Sequence, residues 1–109
     1  MVNFTYNSND RVLTCNFPAR LDTIVCMKVS EQIADKLNTM HRTNDAVPLL
    51  EDRIVFDLKE VSFIASSFIR ICVHTAKQVQ KGNFSIISSD PFIKKTFKIA
   101  GLDEILNLR

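Results

Sequence analysis

Hydrophobic and polar residues alternate at the start of the chain, a pattern typical of β-strands. Two such segments, residues 2–6 and 13–17, flank the polar stretch 7–10, which predicts an N-terminal β-hairpin. From Asp22 or Thr23, either of which could cap a helix, the apolar spacing changes to three and four and predicts a helix. Its apolar face would consist of Cys26, Val29, Ile33, Leu37 and Met40.

Strands and helices then alternate along the rest of the chain. The predicted elements are a loop at 43–53, a strand at 54–58 that is apolar on both faces, a helix at about 67–80, a strand at 84–87 and a helix from Pro91 to Gly101. This order predicts an α/β fold: a central mixed β-sheet of about four strands, including the hairpin, with α-helices packed against it. The two later strands would be parallel, and the central one would be covered on both faces.

Composition and charge exclude several classes of function. The 109 residues are 46% hydrophobic and carry a formal net charge of only +2. That is enough apolar content for one core, and it leaves no basic stripe for binding nucleic acid. The start of the chain lacks the features of a signal peptide, and no apolar run is long enough to span a bilayer. We therefore expect a cytoplasmic protein without membrane insertion.

Cysteine and histidine positions predict neither a metal site nor a catalytic centre. Cys15, Cys26 and Cys72 are scattered and fall at apolar periodic positions, which predicts buried free thiols. Neither His41 nor His74 is placed beside a serine and an orienting carboxylate, and the chain has no glycine-rich phosphate loop. We expect no enzymatic activity, no metal and no cofactor.

A serine pair marks the start of the second helix. Ser66 and Ser67 follow a strand and a turn, and we expect at least one hydroxyl to cap the helix. The first turn of a helix carries free N–H groups and a partial positive charge, which would favour a phosphate on either serine. The predicted core stripe of this helix is Ile69, Cys72, Val73, Ala76 and Val79.

Four short segments share their spacing with a known family. They are Asp57 with the following VSFIASS at 61–67, ARLD at 19–22, KG at 81–82 and FKIAGL at 97–102. Together they resemble the motifs of STAS domains, the fold of bacterial anti-sigma factor antagonists. The resemblance covers nearly the whole chain and implies a single STAS-like domain over residues 1–109.

The resemblance implies a noncatalytic protein-interaction module of a bacterial regulatory, partner-switching system. In the family, a serine kinase that is also an anti-sigma factor phosphorylates one serine, and the unphosphorylated module binds that kinase and releases the sigma factor. Ser66 matches this serine, and Ser67 is the second candidate. The residues expected to contact a partner, either such a kinase or another regulatory protein, are Asp22, Ser62, Ser66, Ser67, Phe68, Arg70 and Ile71.

Two residues depart from the family motif. Ala65 stands where the family has Asp, and Phe68 where it has Gly. A phenyl ring at that position would block the approach of a partner or replace it with an apolar contact, together with Ile71 and Thr75. Two alternatives stay open: an accessory subunit that docks on an ABC transporter ATPase, and a sensor domain for a small molecule or nucleotide. The sequence leaves the oligomeric state open.

Overall fold

The fold is described for residues 1–43 and 49–109 of a computed structural model. Its strands are β1 (Asn3–Asn7), β2 (Val12–Asn16), β3 (Arg20–Leu21), β4 (Arg53–Asp57), β5 (Phe63–Ile64) and β6 (Phe84–Ile87). Its helices are α1 (Thr23–Thr43), α2 (Ser66–Ala76) and α3 (Pro91–Ile99). The arrangement is the predicted α/β architecture.

The predicted mixed sheet is confirmed, with the strand order β1-β2-β4-β6. β1 and β2 form the N-terminal hairpin, in which Asn3 pairs with Asn16 and Asn7 with Val12. β2, β4 and β6 run parallel to one another. β3 and β5 form a separate, two-residue parallel ladder. That short ladder was not predicted, and it positions the candidate site.

The sheet buries one face more completely than the other. On the inner face Leu13, Ile54 and Phe56 are fully buried, whereas Thr14 and Val55 on the outer face are half-buried. The outer face of the central strand is therefore less completely covered than predicted. Its apolar sequence on both sides reflects β-propensity as well as burial.

The first helix follows its predicted pattern. Four residues of the predicted apolar face are buried and the fifth is half-buried: Cys26, Val29, Ile33, Leu37 and, less completely, Met40. The cysteines are free and buried, as predicted. Burial raises the pKa of the Cys15 thiol to about 12 and that of Cys72 well above its ordinary value of 9.0.

Four phenylalanines form the centre of the core. The ring of Phe56 on β4 contacts the rings of Phe17 and Phe84 edge-on, with centroids 4.8 Å and 4.9 Å apart. Phe68 on α2 lies 5.2 Å from Phe17, also edge-on, and 6.0 Å from Phe56. Edge-on aromatic pairs of this kind are favourable beyond the area they bury. The cluster fixes α2 on the sheet.

The second helix is shorter than predicted. It ends at Ala76, because residues 78–80 pair with Leu50 instead of continuing the helix: Leu50 N–H donates to the Gln78 carbonyl and Gln80 N–H to the Leu50 carbonyl, both at 3.0 Å. This pairing involves the end of the predicted 43–53 loop, whose positions 44–48 lie outside the described residues. The predicted stripe is also rotated, because the buried residues of α2 are Phe68, Cys72 and Thr75.

A buried carboxylate ties the hairpin to the start of β4. Asp52 is 2% exposed, and it accepts hydrogen bonds from the Tyr6 hydroxyl (2.6 Å) and from Arg11 (3.1 Å). Arg11 also lies 3.4 Å from Glu51. A buried charge is tolerated when it is paired and hydrogen-bonded in this way. The cluster holds the register between the hairpin and β4.

Candidate partner-binding surface

The short ladder between β3 and β5 brings the starts of α1 and α2 together. The Ser62 and Phe63 N–H groups donate to the Ala19 carbonyl at 2.8 Å and 3.3 Å, and Ala65 N–H donates to the Leu21 carbonyl at 2.8 Å. Because α1 begins directly after β3 and α2 directly after β5, both helices start at this ladder. It therefore juxtaposes residues more than forty positions apart in sequence.

Asp22 caps α1, as predicted. Its Oδ1 accepts a hydrogen bond from Val25 N–H at 2.9 Å, and its other carboxylate oxygen lies 3.8 Å from Arg20 Nε. The Arg20 guanidinium is stacked 4.3 Å above the Phe63 ring. All of these side chains remain partly or largely exposed, so this edge of the surface combines a carboxylate, a guanidinium and an aromatic ring.

The start of α2 has no such cap. Its N-cap residue is Ala65, and no side chain in the described part of the chain caps this helix. Ser66 and Ser67 are the first two helical residues, and the prediction that a serine hydroxyl caps the helix is wrong because the helix begins one residue earlier than predicted. The orphan N–H groups of the first turn are therefore left without a side-chain acceptor.

The two serines differ in exposure. Ser66 is exposed, whereas the Ser67 hydroxyl oxygen is buried and has no hydrogen-bond partner among the residues that the structure describes. Burial raises the pKa of the nearby Cys26 thiol, and the Ser67 hydroxyl only partly offsets this rise. Only Ser66 presents its side chain to an approaching protein.

Phe68 is not part of the surface. Its side chain is 0% exposed and belongs to the aromatic cluster with Phe17 and Phe56, so its prediction as a partner-contacting residue is wrong. Thr75, predicted to share an apolar contact with Phe68 and Ile71, is also buried, and its hydroxyl donates to the Ile71 carbonyl at 2.8 Å. The Phe68 ring packs α2 onto the sheet.

A groove between α1 and α2 continues the surface away from the helix starts. It has a volume of about 660 Å³, and its lining includes Met27, Ser67, Arg70, Ile71 and His74. Met27 is 66% exposed and its neighbour Ile24, in the first turn of α1, is 73% exposed. We did not predict these two residues as part of the surface. Both are apolar but lie outside the predicted apolar face of α1, and this position was the signal that could have identified them.

The arrangement combines polar side chains at the ladder with apolar side chains in the groove. Asp22, Ser62 and Ser66 surround the ladder, and the Ser62 hydroxyl donates to the Ala19 carbonyl at 3.2 Å. Arg70 lies one turn along α2 from Ser66 and is exposed, and Ile71 is half-buried in the groove. Residues four apart on a helix are neighbours, so Arg70 adds a positive charge beside Ser66.

The described residues show no group that suggests a metal centre or a membrane span. Within 1–43 and 49–109 there is no cluster of three or more histidine, cysteine, aspartate or glutamate side chains placed to hold a metal ion. Over the same residues, no helix has both the length and the apolar content required to cross a bilayer.

Comparison with known proteins identifies the family. The model of the STAS domain matches residues 3–109, and the chain therefore belongs to the STAS family. A search of curated proteins gives no match.

Solved structures show the same fold. A STAS-domain anti-sigma-factor antagonist from Planctomyces limnophilus is 21% identical, with a TM-score of 0.78 over 99% of this chain and 87% of that one. An anti-sigma factor antagonist from Mycobacterium paratuberculosis is 19% identical, with a TM-score of 0.72 over 99% and 85%. The unphosphorylated form of the anti-sigma factor antagonist SpoIIAA is 14% identical, with a TM-score of 0.69 over 100% and 86%.

Proposed function

We propose that this chain is a noncatalytic interaction module of a bacterial partner-switching system, and that phosphorylation of Ser66 controls its binding to a protein partner. The observation that carries the proposal is the exposed Ser66 at the start of α2, a helix without a side-chain cap. Structural neighbours described as anti-sigma factor antagonists support the regulatory role, and one neighbour is described in a phosphorylated form.

The electrostatics of the helix start support a switch at Ser66. A phosphate adds about −1.5 to −2 charges and three acceptor oxygens. At Ser66 it would lie beside the uncapped N–H groups of α2 and one turn from Arg70, where a negative charge is favoured. The same charge would alter the potential of a surface that already carries Asp22 and Arg20. A partner that fits the neutral serine would therefore bind the phosphorylated form differently.

The groove supplies the apolar part of the proposed contact. The exposed Met27 and Ile24 on α1 and the half-buried Ile71 on α2 give an apolar region next to the serine. Interface cores are depleted of charge and rich in such side chains, while charged groups lie at the rim. We place Met27 and Ile71 near the centre of the contact, with Asp22, Ser62 and Arg70 around it.

Phosphorylation by a serine kinase of the anti-sigma type from the same host tests the proposal. After incubation with kinase and ATP, mass spectrometry is expected to place the phosphate on Ser66. Ser66→Ala should abolish the modification and Ser67→Ala, its matched control, should retain it, because only the Ser66 hydroxyl is exposed. A phosphate found only on Ser67, or on neither serine, would contradict the assignment.

A second candidate function is suggested by the groove itself. Its volume of about 660 Å³ lies in the range of small-molecule sites, and the exposed Arg70 side chain in its lining offers a polar contact. A thermal-shift measurement with adenine and guanine nucleotides separates this candidate from the first. Stabilisation that is lost in Arg70→Gln would favour a ligand sensor, whereas no shift with any nucleotide leaves the protein-binding role as the better account.

Docking on a transporter ATPase would use the same surface, and transporter components encoded beside this chain would favour it.

A further inference from the structure

The two edge strands of the main sheet differ in whether another segment covers them. At β6, the C-terminal segment covers the edge: Ile86 N–H donates to the Asn107 carbonyl at 3.4 Å, and Arg109 N–H donates to the Ile86 carbonyl at 2.9 Å. At β1, no segment in the described part of the chain hydrogen-bonds to the outer side of the strand. β1 is therefore the open edge of the sheet.

The open edge lacks the features that usually protect such a strand. Edge strands are commonly blunted by charged side chains, by proline or by a bulge. β1 contains no charged residue and no proline, and its five residues pair with β2 in one unbroken register. Alternate residues along it direct their N–H and C=O groups outward. These groups are available to pair with another strand.

The sequence of β1 is self-complementary. It reads Asn3-Phe4-Thr5-Tyr6-Asn7, which has the same chemical order in both directions. If a second copy pairs antiparallel about a two-fold axis at Thr5, asparagine lies opposite asparagine, Phe4 opposite Tyr6 of the second copy, and Thr5 opposite Thr5. Aromatic pairs and threonine pairs directly opposite each other stabilise antiparallel strands.

The aromatic residues are placed for this contact. Phe4 and Tyr6 pair with Cys15 and Leu13 of β2, so both rings lie on the inner face of the sheet. Tyr6 is 44% exposed although its hydroxyl is held by Asp52, and Phe4 is half-buried under the Lys36 amine, 5.8 Å from the ring centroid. Pairing would cover the exposed part of two rings in each copy.

We propose that β1 is a homodimerisation edge, through which two copies form one continuous eight-stranded sheet by antiparallel pairing of β1 with β1. A two-fold contact of this kind is closed and uses the same strand in both copies. The contact of two five-residue strands is smaller than a standard interface of about 800 Å² per partner, so the dimer depends on concentration. The edge shares no residue with the proposed partner surface.

Sedimentation velocity over protein concentrations from about 10 µM to about 500 µM tests the proposal, because weak contacts of this size associate in that range. The wild-type protein is expected to shift from monomer to dimer. Thr5→Lys should weaken dimerisation at least tenfold, since it places two like charges directly opposite each other. Thr14→Lys is the matched control: it adds the same charge to the residue that pairs with Thr5 on β2, one strand inside the edge, and should dimerise like the wild type.

Mixing Thr5→Lys with Thr5→Glu provides a second readout. Opposite charges across the axis should restore a dimer that neither variant forms alone, and this result cannot arise from misfolding of one variant. A wild-type protein that stays monomeric over the whole range would overturn the proposal. So would a dimer that Thr5→Lys leaves unchanged, or one that Thr5→Lys and Thr14→Lys weaken equally.

Discussion

The N-termini of α2 and α3 are built in opposite ways. At α3, Asp90 accepts a hydrogen bond from Ile93 N–H at 2.8 Å, and Pro91 occupies the first helical position. At α2, the equivalent position is Ala65, and the first turn has no side-chain cap within the described residues. The capped end is stabilised by local chemistry. The uncapped end exposes a serine and relies on packing, as expected if the start of α2 serves the proposed partner contact.

Packing against the sheet stabilises α2, so a substitution that removes this packing should give the largest change in the free energy of unfolding. Phe68→Ala deletes a fully buried ring from the aromatic cluster, so we expect a loss of about 3–5 kcal/mol in the free energy of unfolding. Urea denaturation measures it. Phe92→Ala on α3 is the matched control, because Phe92 is 77% exposed and should change stability little. Similar losses in both variants would contradict the contrast between the helices.

Alkaline pH should lower the free energy of unfolding through Cys72, the buried ionisable group of α2, whereas the buried residues of α3, Ile93 and Phe97, do not ionise. Burial raises the pKa of the Cys72 thiol well above 9.0. The unfolded chain therefore loses this proton first, and the thiol's contribution is complete below pH 9.0 and declines above it. We expect a loss of up to about 1.4 kcal/mol per pH unit per such thiol.

Urea unfolding at pH 8, 9 and 10 measures that slope. The Cys72→Ala variant should show a shallower decline than the wild type between pH 9 and 10, because one proton-linked group has been removed. Parallel slopes for the two proteins would mean that the Cys72 thiol ionises equally easily in the folded and unfolded states.

The cap of α3 is expected to have a smaller effect. Asp90→Ala removes the acceptor of the Ile93 N–H bond and should lower stability by about 1 kcal/mol. Asp90→Asn keeps a capping oxygen and should retain most of that stability. Thermal or urea unfolding compares the three proteins, and an equal loss in both variants would assign the effect to the charge of Asp90.

Adding an N-cap residue to α2 should give the smallest change in the free energy of unfolding, and this change should be an increase. Ala65→Asp places a carboxylate at the N-cap of α2, where it can accept a first-turn N–H bond, and we expect stabilisation of about 0.5–1 kcal/mol. Ala65→Asn should give a similar gain without the charge. If neither variant is more stable than the wild type, the first-turn N–H groups of α2 are not available to an acceptor.

The elements that were predictable from the sequence rest on local signals. The hairpin follows from alternation around a polar turn, and α1 follows from its spacing and from Asp22, whose cap is present in the structure. Asp57 bonds the turn that follows it in the same local way, because its Oδ1 accepts from Lys59 N–H at 3.1 Å. Each of these features depends on residues a few positions apart.

The candidate surface was harder to predict, because it depends on contacts between residues that are far apart in the sequence. In α2 the apolar run around Ile69 and Ile71 fits more than one helix face, and the edge-on packing of Phe68 against Phe17 selects the face that is buried. A shift of one residue in the helix start changed the serines from caps into helical residues. The ladder of β3 and β5 has two residues in each strand, too few to show a periodicity.

The proposed function rests on control of partner binding, at the starts of α1 and α2, by a charge on Ser66. Calorimetric titration of the anti-sigma-type kinase from the same host into unmodified and Ser66-phosphorylated protein tests it most directly, with Ser85→Glu as the control for added negative charge on the outer face of the sheet. We expect phosphorylation to weaken binding at least tenfold, about 1.4 kcal/mol, and Ser85→Glu to leave it unchanged. Equal affinity for the unmodified and phosphorylated forms would contradict it.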